Sequence, residues 1–405
     1  MVLVPLVTAA AHARAGATPA PVTSTGTAGP PGAGSRLPAT PGHPAKTRLG
    51  LPFDGRREWP LVTLQARKIW HRALGAGVTV AVVDTGIGPQ RDLAAAISGP
   101  VYNLTGVGPA DDGTDTSSNS HGTAVAGIIA GRGLLADGSR MTGLAPDATL
   151  LDVRVAAQAS KISAGLAAQG IMTAVRHGAS VINISLTVAA GSRSLQAAVA
   201  TAERSGAVVV TMAGTGSTLQ ALGALRGVIV VGATNRRSVP VPTGAAGVSL
   251  YAPGADLFST GEAKTEADAT ASGYVSHIGG ADYATAYTSA AIALLLSADH
   301  GLSAAKAGRL LVSTARHIPG QHGAGVMNPF RALLTALATA VPTPRPSKTK
   351  PEATGPGSGG VFSMRYLLLL PLLMVVVIGA GAFWQRRRRL SGPSDLPPTL
   401  WDQPW

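Results

Sequence analysis

The sequence lacks cysteine entirely and has few charged residues for its length of 405 residues. The absence of cysteine excludes disulfide bonds, a thiol nucleophile and cysteine-ligated metal sites. Charged residues make up only 13% of the chain, while apolar residues make up 45%. Much of this apolar content is alanine and glycine spread along the chain, so we expect a large domain stabilised by its own core.

Long hydrophobic runs are also scarce, with one exception at residues 366–384, YLLLLPLLMVVVIGAGAFW. A helix of this length roughly matches the hydrocarbon thickness of a bilayer. Four arginines follow at 386–389, which disfavours a buried core helix and places the C-terminal side in the cytoplasm. The sequence therefore predicts a single-pass protein of the cell membrane, with an extracytoplasmic domain and a cytoplasmic tail at 385–405.

The formal net charge of the chain is +13. Part of this excess lies in the arginines at 386–389 and in the proline-flanked Arg345, Lys348 and Lys350. A basic chain can indicate a nucleic-acid partner, but we interpret the charge here as part of the membrane topology and of the tether. No nucleic-acid partner is expected.

Both ends of the chain are biased in composition. Residues 1–15, MVLVPLVTAAAHARA, resemble a truncated secretory signal, since an apolar stretch and small residues are present without a preceding positive charge. Residues 16–46 are rich in Pro, Ala, Gly and Thr and are expected to form a disordered spacer. A Pro- and Lys-rich linker is predicted at 341–365. These segments leave one large domain at 47–340.

Within this domain, short apolar runs alternate with longer helical stretches, which is typical of a parallel sheet with helices on both faces. The predicted strands are residues 78–83, 150–155, 181–185, 207–212 and 228–232. The predicted helices are residues 123–131, 163–177, 194–205 and 284–298. The last of these has little polarity on any face and is therefore expected to be buried.

Two residues of this pattern are candidates for chemistry. Asp84 directly follows the first predicted strand, and active sites of open α/β sheets gather at this end of the strands. By itself, an aspartate at a strand end is commonly structural. His121 opens a helix of small residues that can approach another backbone closely. An aspartate followed along the chain by a histidine is the order of subtilisin-type triads, in which the carboxylate orients the imidazole and the imidazole takes the serine proton.

With these motifs the chain resembles the subtilisin-like serine peptidase superfamily (peptidase S8), and within it the mycosins, membrane-anchored subtilases associated with type VII secretion. The resemblance rests on five features: AGVTVAVVDTG at 76–86, HGTAVAGIIAGR at 121–132, GLAP at 143–146, VINISL at 181–186 and the C-terminal hydrophobic run. It implies an α/β fold of the subtilisin-like, doubly wound type and a triad of aspartate, histidine and serine.

The serine of that triad is missing. The family carries it in a Gly-Thr-Ser turn before the buried helix, and the matching GADYATAY at 280–287 has Asp282 in its place. Thr215 stands at the position of the family's oxyanion-hole asparagine. Without the serine no acyl-enzyme forms, and loss of one oxyanion donor typically lowers the rate by about 10²–10³. Gln90 and Thr187 depart from the family pattern as well.

Asp282 has several interpretations. We favour a cap at the helix N-terminus, where a carboxylate accepts backbone N–H groups. An alternative is a cation held by Asp84, His121 and Asp282. A relocated nucleophile is disfavoured, because the nearby side chains are out of register with the serine: Ser276, His277 and Thr285. Two carboxylates beside His121 are expected to raise its pKa above about 6.5, unless burial dominates.

The resemblance and the missing serine together predict an inactive, membrane-anchored pseudoprotease that binds or stabilises proteins of a type VII secretion apparatus. Its expected partners are components of the secretion membrane complex or secreted polypeptides, and no cofactor is predicted. An active serine endopeptidase of the same apparatus is the alternative. A peptide-binding domain outside secretion would be favoured if the neighbouring genes encoded no secretion components.

Overall fold

A computed structural model describes residues 51–340, except 52, 98, 134–139, 215–220, 243–246, 263–272 and 319–322. The described residues belong to the first of two compact units of the chain, Met1–Pro342. The signal, spacer, linker, membrane helix and tail predicted from the sequence all lie outside the described residues. Among the helices that are described, none has both the length and the hydrophobicity that a membrane span requires.

A parallel sheet of seven strands forms the centre of the domain, in the order β2-β3-β1-β4-β5-β6-β7. The strands are β1 Thr79–Asp84, β2 Tyr102–Asn103, β3 Thr149–Arg154, β4 Val181–Ile184, β5 Val208–Met212, β6 Ile229–Thr234 and β7 Leu250–Pro253. The five strands predicted from the sequence correspond to β1 and β3 to β6, with ends that differ by at most two residues. The edge strands β2 and β7 were not predicted.

Helices cover both faces of this sheet. They are α1 Trp59–Thr63, α2 Ala66–Trp70, α3 His121–Ala130, α4 Ala164–Arg176, α5 Arg193–Arg204, α6 Ala281–Ala298, α7 Ala304–Ser313 and α8 Pro329–Ala340. Val80 and Val82 of β1 pack in the core shared with α3 and α6, whereas Ala81 and Val83 pack in the core shared with α4 and α5. Since successive side chains of a strand point to opposite faces, both faces of β1 are buried.

Helix α6 is the buried helix that the sequence predicted, although it begins three residues earlier. Its polar side chains form hydrogen bonds inside the core. Ser289 donates to Asn183 Oδ1 of β4 at 2.8 Å, and Asn183 Nδ2 donates to Ser185 Oγ at 2.7 Å. The bond from Ser289 joins the middle of α6 to β4.

The segment before β1 is held against the domain by its two tryptophans. Trp59 Nε1 donates to the Asp256 carbonyl oxygen at 3.0 Å, and Trp70 Nε1 donates to the Leu144 carbonyl oxygen at 2.9 Å. The buried Glu58 accepts from the Thr142 N–H at 2.6 Å. Neither α1 nor α2 was predicted, because each is only five residues long and is stabilised by these distant contacts.

The strand order defines where a site can form. β1 lies between β3 and β4, so the chain turns to one side of β1 for β3 and crosses to the other side for β4. This reversal opens a crevice beyond the carboxyl ends of the central strands, where ligands of such sheets bind. Asp84 is the last residue of β1 and lies at that crevice.

Candidate active site

Asp84 is fully buried at the carboxyl end of β1. Its Oδ1 accepts from the Thr85 N–H at 2.8 Å and lies 2.7 Å from His121 Nδ1. Gly86 follows with φ of +105°, a left-handed conformation that allows the chain to turn immediately after the carboxylate. The strand end and the turn therefore hold the carboxylate in one position.

His121 is the first residue of α3, and only 2% of its side chain is exposed. Its backbone N–H donates to Ser117 Oγ at 2.8 Å, and the following Gly122 N–H donates to Thr85 Oγ1 at 2.9 Å. A Cβ atom at Gly122 would collide with the carbonyl oxygen of Gly86. The glycine thus permits the close approach of α3 to the β1 turn that brings the imidazole to Asp84.

Asp282 lies in the first turn of α6, after the N-cap residue Gly280. Its Oδ1 accepts from the Tyr283 N–H at 3.0 Å, and its Oδ2 lies 3.0 Å from His121 Nε2. Ser185 Oγ donates to the Asp282 carbonyl oxygen at 3.1 Å. The N-cap residue is therefore Gly280 and not Asp282 as predicted, because the helix begins before Asp282. Asp282 accepts one N–H of the first turn, and its carboxylate also reaches the imidazole.

The three side chains form a linear arrangement with His121 in the middle. Burial alone would lower the pKa of His121, but the charges of Asp84 and Asp282 and their hydrogen bonds raise it to about 10. This is the direction expected from two carboxylates beside His121. At neutral pH the imidazole is consequently protonated on both nitrogens, and it has no lone pair with which to accept a proton.

This arrangement does not favour the cation alternative. Each imidazole nitrogen of His121 faces a carboxylate oxygen, so neither nitrogen is open to a metal ion. Within the described part of the chain, no group of three or more His, Asp or Glu side chains has a geometry that could hold a metal ion.

The profile of the subtilase family matches residues 75–344, more than half of the chain. The chain belongs to the subtilase family. It is similar to Mycosin-4 of Mycobacterium tuberculosis, with 32% identity over 310 residues, 65% of this chain and 66% of that protein. It is also similar to thermitase of Thermoactinomyces vulgaris, with 31% identity over 274 residues, 66% of this chain and 92% of that protein.

Solved mycosin structures share the fold of this subtilase. MycP1 with its N-terminal propeptide removed superposes with a TM-score of 0.54 and 28% identity, covering 68% of this chain and 96% of that one. MycP1 from Mycobacterium smegmatis superposes with a TM-score of 0.55 and 26% identity, covering 68% of this chain and 84% of that one. These matches confirm the mycosin branch and the subtilisin-like α/β fold predicted from the sequence.

The other predicted site residues of this subtilase differ in their outcome. Thr215, assigned to the oxyanion position, lies outside the described residues. Gln90 is buried and donates to the Gly273 carbonyl oxygen at 2.9 Å, so it has a structural partner. Thr285 is buried and donates to the Ala281 carbonyl oxygen at 2.7 Å, within its own helix. Ser276 and His277 are exposed on a strand of a separate hairpin. The assignment of catalytic roles remains a prediction from the resemblance.

The structure reveals two buried aspartates that sequence reasoning missed. Asp115 accepts from Thr85 Oγ1 at 2.9 Å and from the Thr123 N–H at 2.9 Å, so it joins the β1 turn to the start of α3. Asp152 of β3 accepts from the Ile87 N–H at 3.1 Å. Burial, followed by the charges of Asp115 and Asp84, raises the pKa of Asp152 well above its usual range. No local signal identifies their place at the site, because Thr85 and Ile87, which they contact, are distant in sequence.

Proposed function

We propose that this subtilase is a catalytically inactive, mycosin-like pseudoprotease that is anchored in the cell membrane. In this proposal the extracytoplasmic domain is a structural or binding component of a type VII secretion apparatus. The similarity to Mycosin-4 supports the assignment, as does the similarity to MycP1 from the ESX-1 type VII secretion system.

The contact between Asp282 Oδ2 and His121 Nε2, at 3.0 Å, is the observation that carries the proposal. In a serine peptidase this nitrogen takes the proton of the attacking hydroxyl. Here a carboxylate occupies the place of the hydroxyl group and keeps the nitrogen protonated. The carboxylate of Asp282 does not supply the hydroxyl oxygen that forms the acyl-enzyme of the serine mechanism.

The alternative, an active serine endopeptidase, is favoured only by the intact pairing of Asp84 with His121 at 2.7 Å. That pair orients a base but needs a hydroxyl to act on. Ser185 Oγ, the serine hydroxyl joined to the same turn, donates to the Asp282 carbonyl oxygen at 3.1 Å and accepts from Asn183 Nδ2. Neither of these bonds is to the imidazole.

A fluorophosphonate probe tests the inactivity directly, because labelling requires an activated serine. The purified full-length protein is expected to show neither labelling nor cleavage of casein, next to a thermitase control that shows both. Labelling of the unmodified protein would refute the pseudoprotease. Labelling that persists in Asp282→Ala but disappears when a nearby serine or threonine is replaced would identify a relocated nucleophile.

Membrane anchoring rests on the hydrophobic run at 366–384 and the arginines at 386–389. We expect an external protease added to intact cells to digest the domain before residue 366 and to spare a tag at the C-terminus. Loss of the tag with survival of the domain would reverse the orientation. Genes for a secretion ATPase and membrane-core proteins beside this one would support the secretion assignment, and their absence would favour a peptide-binding domain outside secretion.

A further inference from the structure

We propose that a basic cavity on the N-terminal side of the domain binds an acidic segment of a partner protein. The cavity has a volume of about 370 Å³. It lies between the segment before α1, the turn after β6, and a hairpin of strands β8 Leu257–Thr260 and β9 Tyr274–Ile278. The residues that carry the argument are Arg56, Arg57, Arg236, Asp256, Phe258 and His277.

Two of the arginines around this cavity lie beside aromatic rings of the domain. The guanidinium of Arg236 lies 5.7 Å from the Trp59 ring, and its Nη2 donates to the Arg56 carbonyl oxygen at 3.0 Å. The guanidinium of Arg57 lies 5.6 Å from the Phe258 ring. Aromatic rings stabilise cations over their faces and restrict the long side chains, so less entropy is lost when a ligand binds.

Positive charge at the cavity exceeds negative charge. Asp256 is the acidic side chain in the lining, and His277 Nδ1 lies 2.8 Å from its Oδ1. Its Oδ2 is 3.9 Å from Arg236 Nη2, which is too far for a good hydrogen bond. Each guanidinium carries five N–H donors, and surface pairs at such distances contribute little. A ligand carboxylate can therefore replace this weak contact with bidentate hydrogen bonds.

The number of arginines favours a polypeptide over a single small anion. Arg56, Arg57 and Arg236 all line the cavity, so a chain that carries several carboxylates can pair with each of them. The Phe258 ring is already stacked on Tyr274, with 5.3 Å between ring centroids, and the Arg57 guanidinium lies 5.6 Å from it, so the contacts offered to a ligand are those of the guanidinium groups. A peptide rich in aspartate and glutamate offers several carboxylates at once, which inorganic phosphate does not.

The backbone at the cavity is also unusual. Asp256 and His277 have φ of 52° and 56°, left-handed values that residues other than glycine seldom adopt. Such conformations persist where surrounding contacts enforce them, and they cluster at binding sites. Here the Trp59 indole fixes the Asp256 carbonyl at 3.0 Å, and the two left-handed residues meet across the cavity.

This surface adjoins the turn that leads to Asp282. The Gly280 N–H donates to the Gly254 carbonyl oxygen at 2.7 Å, two residues before Asp256. The inference rests on the proposed function as a binding component, and it assigns that binding to a surface outside the former catalytic residues. Peptide binding and fluorophosphonate labelling are separate measurements, so either proposal can fail alone.

The test uses the full-length protein in a non-ionic detergent and a fluorescein-labelled peptide of alternating glutamate and glycine. Fluorescence anisotropy is expected to show saturable binding that weakens as salt increases. A peptide with glutamine in place of glutamate is expected not to bind. Arg236→Glu and Arg57→Glu should each raise the Kd at least about tenfold, since each removes charge-assisted hydrogen bonds. The matched control Arg309→Glu, on α7, should leave the Kd unchanged.

Other outcomes overturn the proposal. If Arg309→Glu weakened the binding of the peptide as much as Arg236→Glu does, the overall basicity of the protein would be what attracts the peptide. If the unmodified protein did not bind the peptide, the proposed site would not exist. Displacement of the peptide by equimolar inorganic phosphate would assign a general anion site instead. Binding to phosphatidylglycerol vesicles that Arg236→Glu abolishes would assign a membrane surface. Arg236→Lys, which keeps the charge near Trp59, distinguishes a lost contact from a misfolded variant, because it should retain part of the affinity.

Discussion

The two halves of the candidate site differ in how firmly the fold holds them. In the orienting half, Asp84 is completely buried, and Thr85, Asp115 and Ser117 connect the β1 turn to the start of α3 around it. In the nucleophile half, Asp282 is 23% exposed at the edge of the crevice. A change in the orienting half disrupts the contacts between the β1 turn and the start of α3. A change at residue 282 alters the group that faces His121 and leaves those contacts intact.

The largest effect is expected when the chemistry of the nucleophile half is restored. Asp282→Ser alone should give no useful turnover, whereas Asp282→Ser with Thr215→Asn should cleave casein slowly. Asp84 and His121 then act as orienter and base, and the missing oxyanion donor accounts for a difference of about 10²–10³ in rate. Initial rates of the two purified variants provide the measurement, with the His121→Ala triple variant as background. Robust turnover by Asp282→Ser alone would mean that Thr215 does not impair stabilisation of the oxyanion.

Neutralising each carboxylate separately compares the two halves by stability. Asp84→Asn should lower the free energy of unfolding by about 3 kcal/mol, because it leaves a buried imidazolium without its closest partner. Asp282→Asn should lower it by about 1 kcal/mol, since its side chain is partly exposed and its charge is screened. Urea unfolding of the full-length protein measures both. Equal losses would contradict the distinction between a structural half and a chemical half.

The pH dependence of stability gives a smaller effect. For His121, burial lowers the pKa and the two carboxylates raise it more, from 6.5 to about 10. A raised folded pKa means that the stabilisation is complete below 6.5 and is lost as the pH rises through about 10. Asp282→Asn should therefore flatten the decline of the free energy of unfolding between pH 6.5 and about 10. NMR titration of the His121 ring is the direct measurement, and a folded pKa below 6.5 would mean that burial dominates.

Glu58 supplies a control for that experiment at a distance from the site. Burial raises its pKa from 4.5 to about 7, so its contribution is present below 4.5 and is lost through about 7. Glu58→Gln should flatten the decline of the free energy of unfolding only between pH 4.5 and about 7. If Glu58→Gln also changed the pH dependence of stability between pH 6.5 and about 10, the protonation of Glu58 and that of His121 would be coupled.

Much of this architecture could be predicted because it is encoded locally. The five central strands and four long helices follow from apolar periodicity, and Asp84 follows from the position of a carboxylate at a strand end. The short β2, β7, α1 and α2 were missed, since each depends on distant partners such as the contact from Trp59 to Asp256. Helices α7 and α8, of 10 and 12 residues, were not predicted either. Asp115 was missed for the same reason, because the Thr85 it contacts is 30 residues away.

The sequence by itself determined that this chain has a subtilisin-like sheet, an aspartate and a histidine in triad order, and an aspartate where the serine belongs. The strand pattern follows from residue identity and spacing, whereas the triad and the place of the missing serine follow from the resemblance to the family. Only the tertiary structure decided that Asp282 contacts both its own helix N-terminus and His121 Nε2. The balance between burial and charge at His121 was also decided there. Both depend on how closely β1, α3 and α6 pack, because electrostatic and hydrogen-bond energies change steeply with distance and burial.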